Sequence, residues 1–270
     1  MSLLNYNGNI IAEEQAPKLL SESVFRSKEG LFESMLLLDD EIQLLLLHYS
    51  RLQKGMLQLG YVFPFEFNIQ FFEEEVLKTA KANNIYPFGR VRFQVFKETN
   101  GVCSFIAEVF EVTQSVFSFN HEGWVLGLVN NDWKSLDETA MLKAINTNLY
   151  TSASNMVKQN GWNDLLLVNN GFISESGTAN LFIVKGNIVF TPPISEGCIA
   201  GVMRSFILSK LNEMKIQVHE CPVSVEMLMN ADEVFLTNAV RRIKWIKEIE
   251  NKIFSTNKFS NSLSNKLFNN

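Results

Sequence analysis

Lys143 lies in the phrase Leu142-Lys143-Ala144-Ile145-Asn146. An amine whose pKa is lowered by desolvation or by neighbouring cations can act first as a nucleophile and later as a base. Glu175 opens the phrase Glu175-Ser176-Gly177-Thr178-Ala179-Asn180-Leu181-Phe182 at the end of a predicted strand, where a carboxylate can stabilise a neighbouring positive charge. Arg51, in His48-Tyr49-Ser50-Arg51-Leu52, supplies a guanidinium fork, and Gly201-Val202-Met203-Arg204 opens a predicted helix. Thr237 and Asn238 close a predicted strand. Each residue alone has a plainer reading: Lys143 and Glu175 in separate surface ion pairs, Arg51 as a solvated helix charge, Thr237 as a turn residue.

The remaining composition narrows the chemistry. The formal charge is -5 over 270 residues, which argues against a nucleic-acid partner because a duplex-binding surface needs clustered Lys and Arg. A small-molecule substrate is the expectation. Cys103, Cys198 and Cys221 match neither a disulfide framework nor a zinc pattern, and His48, His121 and His219 are scattered. No metal site and no Ser-His-Asp arrangement is therefore expected, and a reducing compartment fits best. Nucleotide-binding glycine motifs of the G-x-G-x-x-G and G-x-x-x-x-G-K-[ST] kinds are absent. Residues 1–6 show no basic region followed by a long apolar stretch, and apolar runs such as 44–47 are too short to cross a bilayer. A cytoplasmic protein with no membrane partner is expected.

Two stretches of alternating elements must position these residues. Residues 3–11 read as short strands around Asn7-Gly8, and 30–38 with 41–46 as a hairpin turning at Asp39-Asp40. Helices are predicted over 48–60, with Leu52, Met56 and Leu59 on one face, and over 65–83; strands follow over 91–96 and 102–112. Between 115 and 137 the pattern weakens, and Asn130, Asn131, Asp132 and Ser135 are loop-formers. Beyond lie a helix over 146–160, strands over 165–168, 172–175, 181–184 and 188–190, a helix over 201–211, and strands over 216–220 and 233–237. Residues 254–270 read as a final helix that frays. The expected division is an N-terminal α/β domain over 1–117, an interdomain loop over 118–134 and a C-terminal domain over 135–270. With 46% hydrophobic residues, 22 of the residues being Phe, the chain has ample material for such cores.

The phrases quoted above, with Gly30-Leu31-Phe32-Glu33-Ser34 ahead of them, Thr191-Pro192-Pro193 before Gly201, and Asp232-Glu233-Val234-Phe235-Leu236-Thr237-Asn238-Ala239 at the end, occur in one order. That order resembles the class IV aminotransferases, the fold-type IV pyridoxal 5'-phosphate (PLP) enzymes that include branched-chain and D-amino acid aminotransferases and 4-amino-4-deoxychorismate lyase. The resemblance runs from about Asn5 to Ile246. It implies a two-domain α/β (α+β) fold, with a small N-terminal α/β domain and a larger PLP-binding C-terminal domain carrying a barrel-like sheet. It further implies PLP in the cleft between the domains, and a homodimer. Lys143 would be the catalytic residue, carrying PLP as a Schiff base and moving a proton. Glu175 would hold the ring nitrogen, Ile199 would lie against one ring face, and Arg51, Gly201, Val202, Met203, Thr237 and Asn238 would hold the phosphate. Asn146 and Asn180 match family positions and read as structural.

The sequence also departs from the pattern. Relatives often carry a glycine before the apolar residue that follows the Thr-Asn-Ala phrase, whereas this chain has Arg241-Arg242 before Ile243. Two added cations could favour acidic substrates or simply face solvent. Glu29 keeps the expected acidic residue, but Ser27-Lys28 replaces an aromatic-glycine lead-in, and 120–139 is the least family-like stretch. The activity implied is transamination from an amino acid to a keto acid. The alternative is 4-amino-4-deoxychorismate lyase, releasing pyruvate and 4-aminobenzoate, towards which the Gly-Val-Met-Arg and Thr-Asn-Ala wording leans. A silent, PLP-free relative is a third reading, against which the retained Lys143 and Glu175 argue.

Overall fold

The computed structural model describes residues 2–15, 30–98, 101–130, 141–145 and 148–268. The chain divides into two units, Met1–Val116 with Leu142–Asn146, and Phe117–Met141 with Thr147–Asn270.

The first unit is built on an antiparallel sheet of β1 (Leu3–Tyr6), β2 (Asn9–Ala12), β3 (Leu31–Leu38), β4 (Glu41–Ile42), β5 (Phe88–Lys97) and β6 (Cys103–Glu111), in the order β2-β1-β6-β5-β3-β4. Asn7-Gly8 and Asp39-Asp40 all have positive φ, the backbone that lets a two-residue turn follow the twist of its strands. Helices α1 (Leu45–Gln58) and α2 (Ile69–Ala82) pack on β3 and β6. Between them and the sheet lies a phenylalanine core, in which Phe93 and Phe105 stack with centroids 5.0 Å apart and Phe72 meets Phe93 edge-on at 4.7 Å.

Two predicted boundaries moved here. The strand expected to reach 46 ends at Ile42, because Leu44, at φ 57, turns the chain into α1; a short apolar run has no period that separates strand from helix. The helix expected from 65 starts at Ile69, where the Asn68 side chain accepts from Phe71 N–H at 2.8 Å. Phe63 and Phe67 stack at 4.7 Å in the non-helical stretch before it.

The second unit holds β7 (Trp124–Asn130), α3 (Asn148–Asn160), β8 (Asp164–Asn169), β9 (Phe172–Ser176), β10 (Asn180–Lys185), β11 (Ile188–Thr191), α4 (Val202–Glu213), β12 (Val218–Glu220), β13 (Val223–Ser224), α5 (Val225–Met229), β14 (Glu233–Asn238), β15 (Arg242–Ile249), β16 (Lys252–Ile253) and α6 (Lys258–Phe268). Its mixed sheet runs β12-β11-β10-β14-β15-β7-β8-β9-β13, with β16 on β15. The sheet curls as expected but stays open, since its ends β12 and β13 are not paired with each other.

The loop expected over 118–134 requires correction, because β7 lies within it, parallel to both of its neighbours, β15 and β8. Its Trp124-Val125-Leu126-Gly127-Leu128-Val129 run is what a strand covered on both faces looks like, and the loop-forming residues after it obscured it. Gly127 admits the Trp162 ring, since a Cβ there would fall 2.2 Å from it. Residues 142–145, expected in the C-terminal domain, group with the first unit. Among the described residues no helix is long and apolar enough to cross a membrane.

Candidate active site

Lys143 is held to the first unit through its backbone. Phe32 N–H donates to the Lys143 carbonyl at 2.9 Å and Ile145 N–H to the Gly30 carbonyl at 2.8 Å, with a bridge between Leu31 and Ala144. Gly30 permits this approach: a Cβ there would fall 2.4 Å from Ile145 Cδ1 and 2.8 Å from the Val95 carbonyl oxygen. Phe32 lies beneath the amine, with Nζ 4.5 Å from the ring centroid.

Glu33, the next residue, points to the face of β3 covered by α1. Its Oε1 accepts from Arg51 Nε at 2.8 Å, its Oε2 accepts from Arg51 Nη2, and His48 Nδ1 lies 2.6 Å from Oε2. Burial works to raise the Glu33 pKa, but the Arg51 charge and the hydrogen bonds from His48 and Arg51 overcome it and hold the carboxyl at about 2. His48 is fully buried, and that burial depresses its pKa more than Glu33 raises it. The consecutive residues Gly30, Leu31, Phe32 and Glu33 thus do four different things around Lys143 and Arg51.

In the second unit the organising residue is Glu175, 2% exposed on β9. Its Oε1 accepts from the Tyr150 hydroxyl at 2.5 Å and its Oε2 from the Ile199 N–H at 2.9 Å. The Ile199 carbonyl accepts from Asn180 Nδ2 at 2.9 Å. Asn180 also pairs across the sheet with Thr237, and its Oδ1 would lie 1.9 Å from a Cβ on Gly201. Gly201 precedes α4, whose N-terminus no side chain caps and whose first residues, Val202 and Met203, are buried. Among the described residues the buried Thr237 hydroxyl has no hydrogen-bond partner. Asn238 Nδ2 donates to the Thr178 carbonyl at 3.1 Å, and Asn238 Oδ1 accepts from Arg241 N–H at 2.7 Å.

The structure therefore gathers Glu175, Ile199, Gly201, Val202, Met203, Thr237 and Asn238 in the second unit, with Asn180 joining Ile199, Gly201 and Thr237. Arg51 and Lys143 lie in the first unit. Asn146, Ser27, Lys28 and Glu29 lie outside the described residues.

Tyr150 and Asp164 escaped sequence reasoning. Asp164 Oδ2 accepts from Ser176 Oγ at 2.9 Å and Thr178 Oγ1 at 2.6 Å, which ties down the turn after Glu175. No local phrase marks either residue, because each finds its partner only through tertiary packing, Tyr150 from α3 onto β9 and Asp164 from β8. The arginine pair is engaged within its unit. Arg241 donates to Thr178 Oγ1 at 3.1 Å and lies 5.3 Å from the Trp124 ring; Arg242 lies 5.2 Å from the Phe117 ring and 4.6 Å from that of Phe268. Arg242 has φ 57, the left-handed backbone in which glycine is at ease.

The chain is thus a two-unit α/β protein with an amine on the first unit and, on the second, a buried carboxylate near a helix N-terminus. Residues 30–249 match the family model of amino-transferase class IV, and the chain belongs to that family, whose fold-type IV members are PLP enzymes. A branched-chain-amino-acid aminotransferase of Salmonella typhimurium is 37% identical over 81 residues, a match covering 30% of this chain and 26% of that protein. The fold is shared with a branched-chain aminotransferase of Thermoproteus uzoniensis (TM-score 0.85, 20% identity, 98% of this chain and 93% of that one). It is also shared with a Legionella pneumophila protein provisionally named a 4-amino-4-deoxychorismate lyase (TM-score 0.79, 24% identity, 89% and 90%).

Proposed function

We propose that this chain is a PLP-dependent enzyme that moves an amino group from an amino acid to a keto acid. The observation that carries the reading is the cradle in the second unit. There an uncapped helix N-terminus at Gly201, a buried Thr237 hydroxyl without a partner, and the Glu175 carboxylate are linked through Asn180 and Ile199. The donor set fits a phosphorylated pyridine: N–H groups and a hydroxyl for the phosphate, a carboxylate for the ring nitrogen.

When bound, PLP supplies an electron sink for charge developing at the Cα atom of an amino substrate. The residues of the chain do the rest. Lys143 holds the cofactor through its amine and then moves a proton at the substrate's Cα, its place set by the backbone bridge to β3. Glu175 keeps a proton on the ring nitrogen. Gly201, Val202 and Met203 offer backbone N–H groups to the phosphate, with Thr237 and Asn238 beside them. Arg51 adds charge, its fork oriented by Glu33. Ile199 supports one ring face. A cytoplasmic homodimer is part of this reading, supported by family likeness and by three free cysteines.

Borohydride reduction of PLP-loaded protein, followed by peptide mapping, should place the modification on Lys143, and Lys143→Ala should carry none. A colourless protein that cannot be reconstituted with PLP ends the reading. The lyase alternative draws support from the Thr237-Asn238-Ala239 wording and from the fold shared with the Legionella protein. Supplying an amino donor with 2-oxoglutarate, and separately 4-amino-4-deoxychorismate, separates the two. Turnover that requires the keto acid supports transamination, whereas pyruvate release without an acceptor supports the lyase.

A further inference from the structure

The contact between Tyr150 and Glu175 has no counterpart among the phrases that mark the family. Tyr150 lies on α3, which packs on β8 through Ala153, Leu165 and Leu167. Glu175 on β9 sits opposite Leu167 in the register. The packing that fixes α3 therefore also aims the phenol at the carboxylate, 2.5 Å from Oε1, while the Ile199 N–H takes Oε2 at 2.9 Å.

A carboxylate buried beside a protonated ring nitrogen presents a choice of where the proton resides. Low-dielectric surroundings favour two neutral groups, which would move the proton from the ring to the carboxylate. Hydrogen bonds to the charged form oppose that, most of all when the acceptor is an anion and the contact is short. Burial, the Glu175 charge and the hydrogen bond to Glu175 together push the Tyr150 phenol far above its usual range, so it stays a donor at any working pH.

We propose that Tyr150 is a positioning residue that holds the Glu175 carboxylate turned toward the cofactor's ring nitrogen, where it can stabilise positive charge. This rests on the PLP reading above. It assigns to the chain a residue that acts on the cofactor's electronics through another side chain, without touching a reacting atom.

The test has a cofactor-free arm and a loaded arm. In apoprotein titrated by the ultraviolet tyrosinate band, wild type and Tyr150→Phe should give the same amplitude, because Tyr150 does not ionise with the other tyrosines. In the loaded protein, Tyr150→Phe should bind PLP about tenfold more weakly and shift the pH response of the visible band, with kcat falling more than KM changes. In the Glu175→Gln background the same substitution should change neither affinity nor pH response further. No PLP bound to wild type sinks the cofactor reading, and this proposal with it. A smaller tyrosinate amplitude in Tyr150→Phe than in wild type sinks this proposal alone. So does PLP bound by both proteins with the same affinity and pH response, or an undiminished effect of Tyr150→Phe in the Glu175→Gln background.

Discussion

Thr237 buries a hydroxyl that makes no hydrogen bond, an arrangement that costs about 1–3 kcal/mol when nothing satisfies the group. Replacing it with valine keeps the shape and removes the cost. Thr237→Val should therefore leave the apoprotein as stable as wild type or up to about 1 kcal/mol more stable, while weakening PLP roughly tenfold; chemical denaturation and PLP titration check the two halves. Glu33 provides the opposite case, a buried group held charged. Its folded pKa, about 2, lies below its ordinary value of 4.5. The stabilisation from this shift is fully present above about 4.5 and is lost as pH falls through about 2, with a size on the order of 3 kcal/mol at neutral pH. The stability gap between wild type and Glu33→Gln should narrow across that window in acid unfolding curves. Lys143, Glu175 and Arg51 were legible in the sequence because each sits in a local phrase. Tyr150 and Asp164 were not, since their partners Glu175, Ser176 and Thr178 reach them only through tertiary pairing of α3, β8 and β9.

The approach of α4 to β10 depends on Gly201. A Cβ there would meet the Asn180 oxygen at 1.9 Å, and Asn180 cannot easily retreat because its amide is bonded to the Ile199 carbonyl. Gly201→Ala should cost about 1–3 kcal/mol and, by displacing Asn180, also weaken PLP, both measurable on one preparation. At the start of β15, Arg242 holds a left-handed backbone at a cost of roughly 1–2 kcal/mol, while its guanidinium lies near Phe117 and Phe268. Arg242→Gly loses the ring contacts but relieves the backbone, whereas Arg242→Ala loses the contacts and keeps the strain. The glycine variant should be the more stable of the two by about 1 kcal/mol in urea melts. Period and turn residues revealed most of the elements, including both helices of the first unit. They missed β7, because loop-forming residues beside it outweighed its own apolar run, and β15, because its alternation breaks at Ile246-Lys247-Glu248, where the register shifts.

The chain supplies the first unit from two separated stretches. Leu142 packs against that unit's core, and Ile145 lies against Gly30. A fragment of residues 1–116 should therefore be less stable than the same unit in the whole chain by about 2–4 kcal/mol, the burial of two aliphatic side chains. Hydrogen exchange at β3 should report the loss, and a peptide covering 141–145 should restore protection. By itself the sequence determined the family, the alternation of strands and helices, and the amine and carboxylate on which the proposed chemistry rests, because these depend on residue type and near neighbours. Tertiary structure alone decided that Glu33 orients Arg51, that Asn180 links Ile199, Gly201 and Thr237, and that Tyr150 faces Glu175. Those relations arise from strand register and helix packing between residues distant in the chain, which local patterns do not encode.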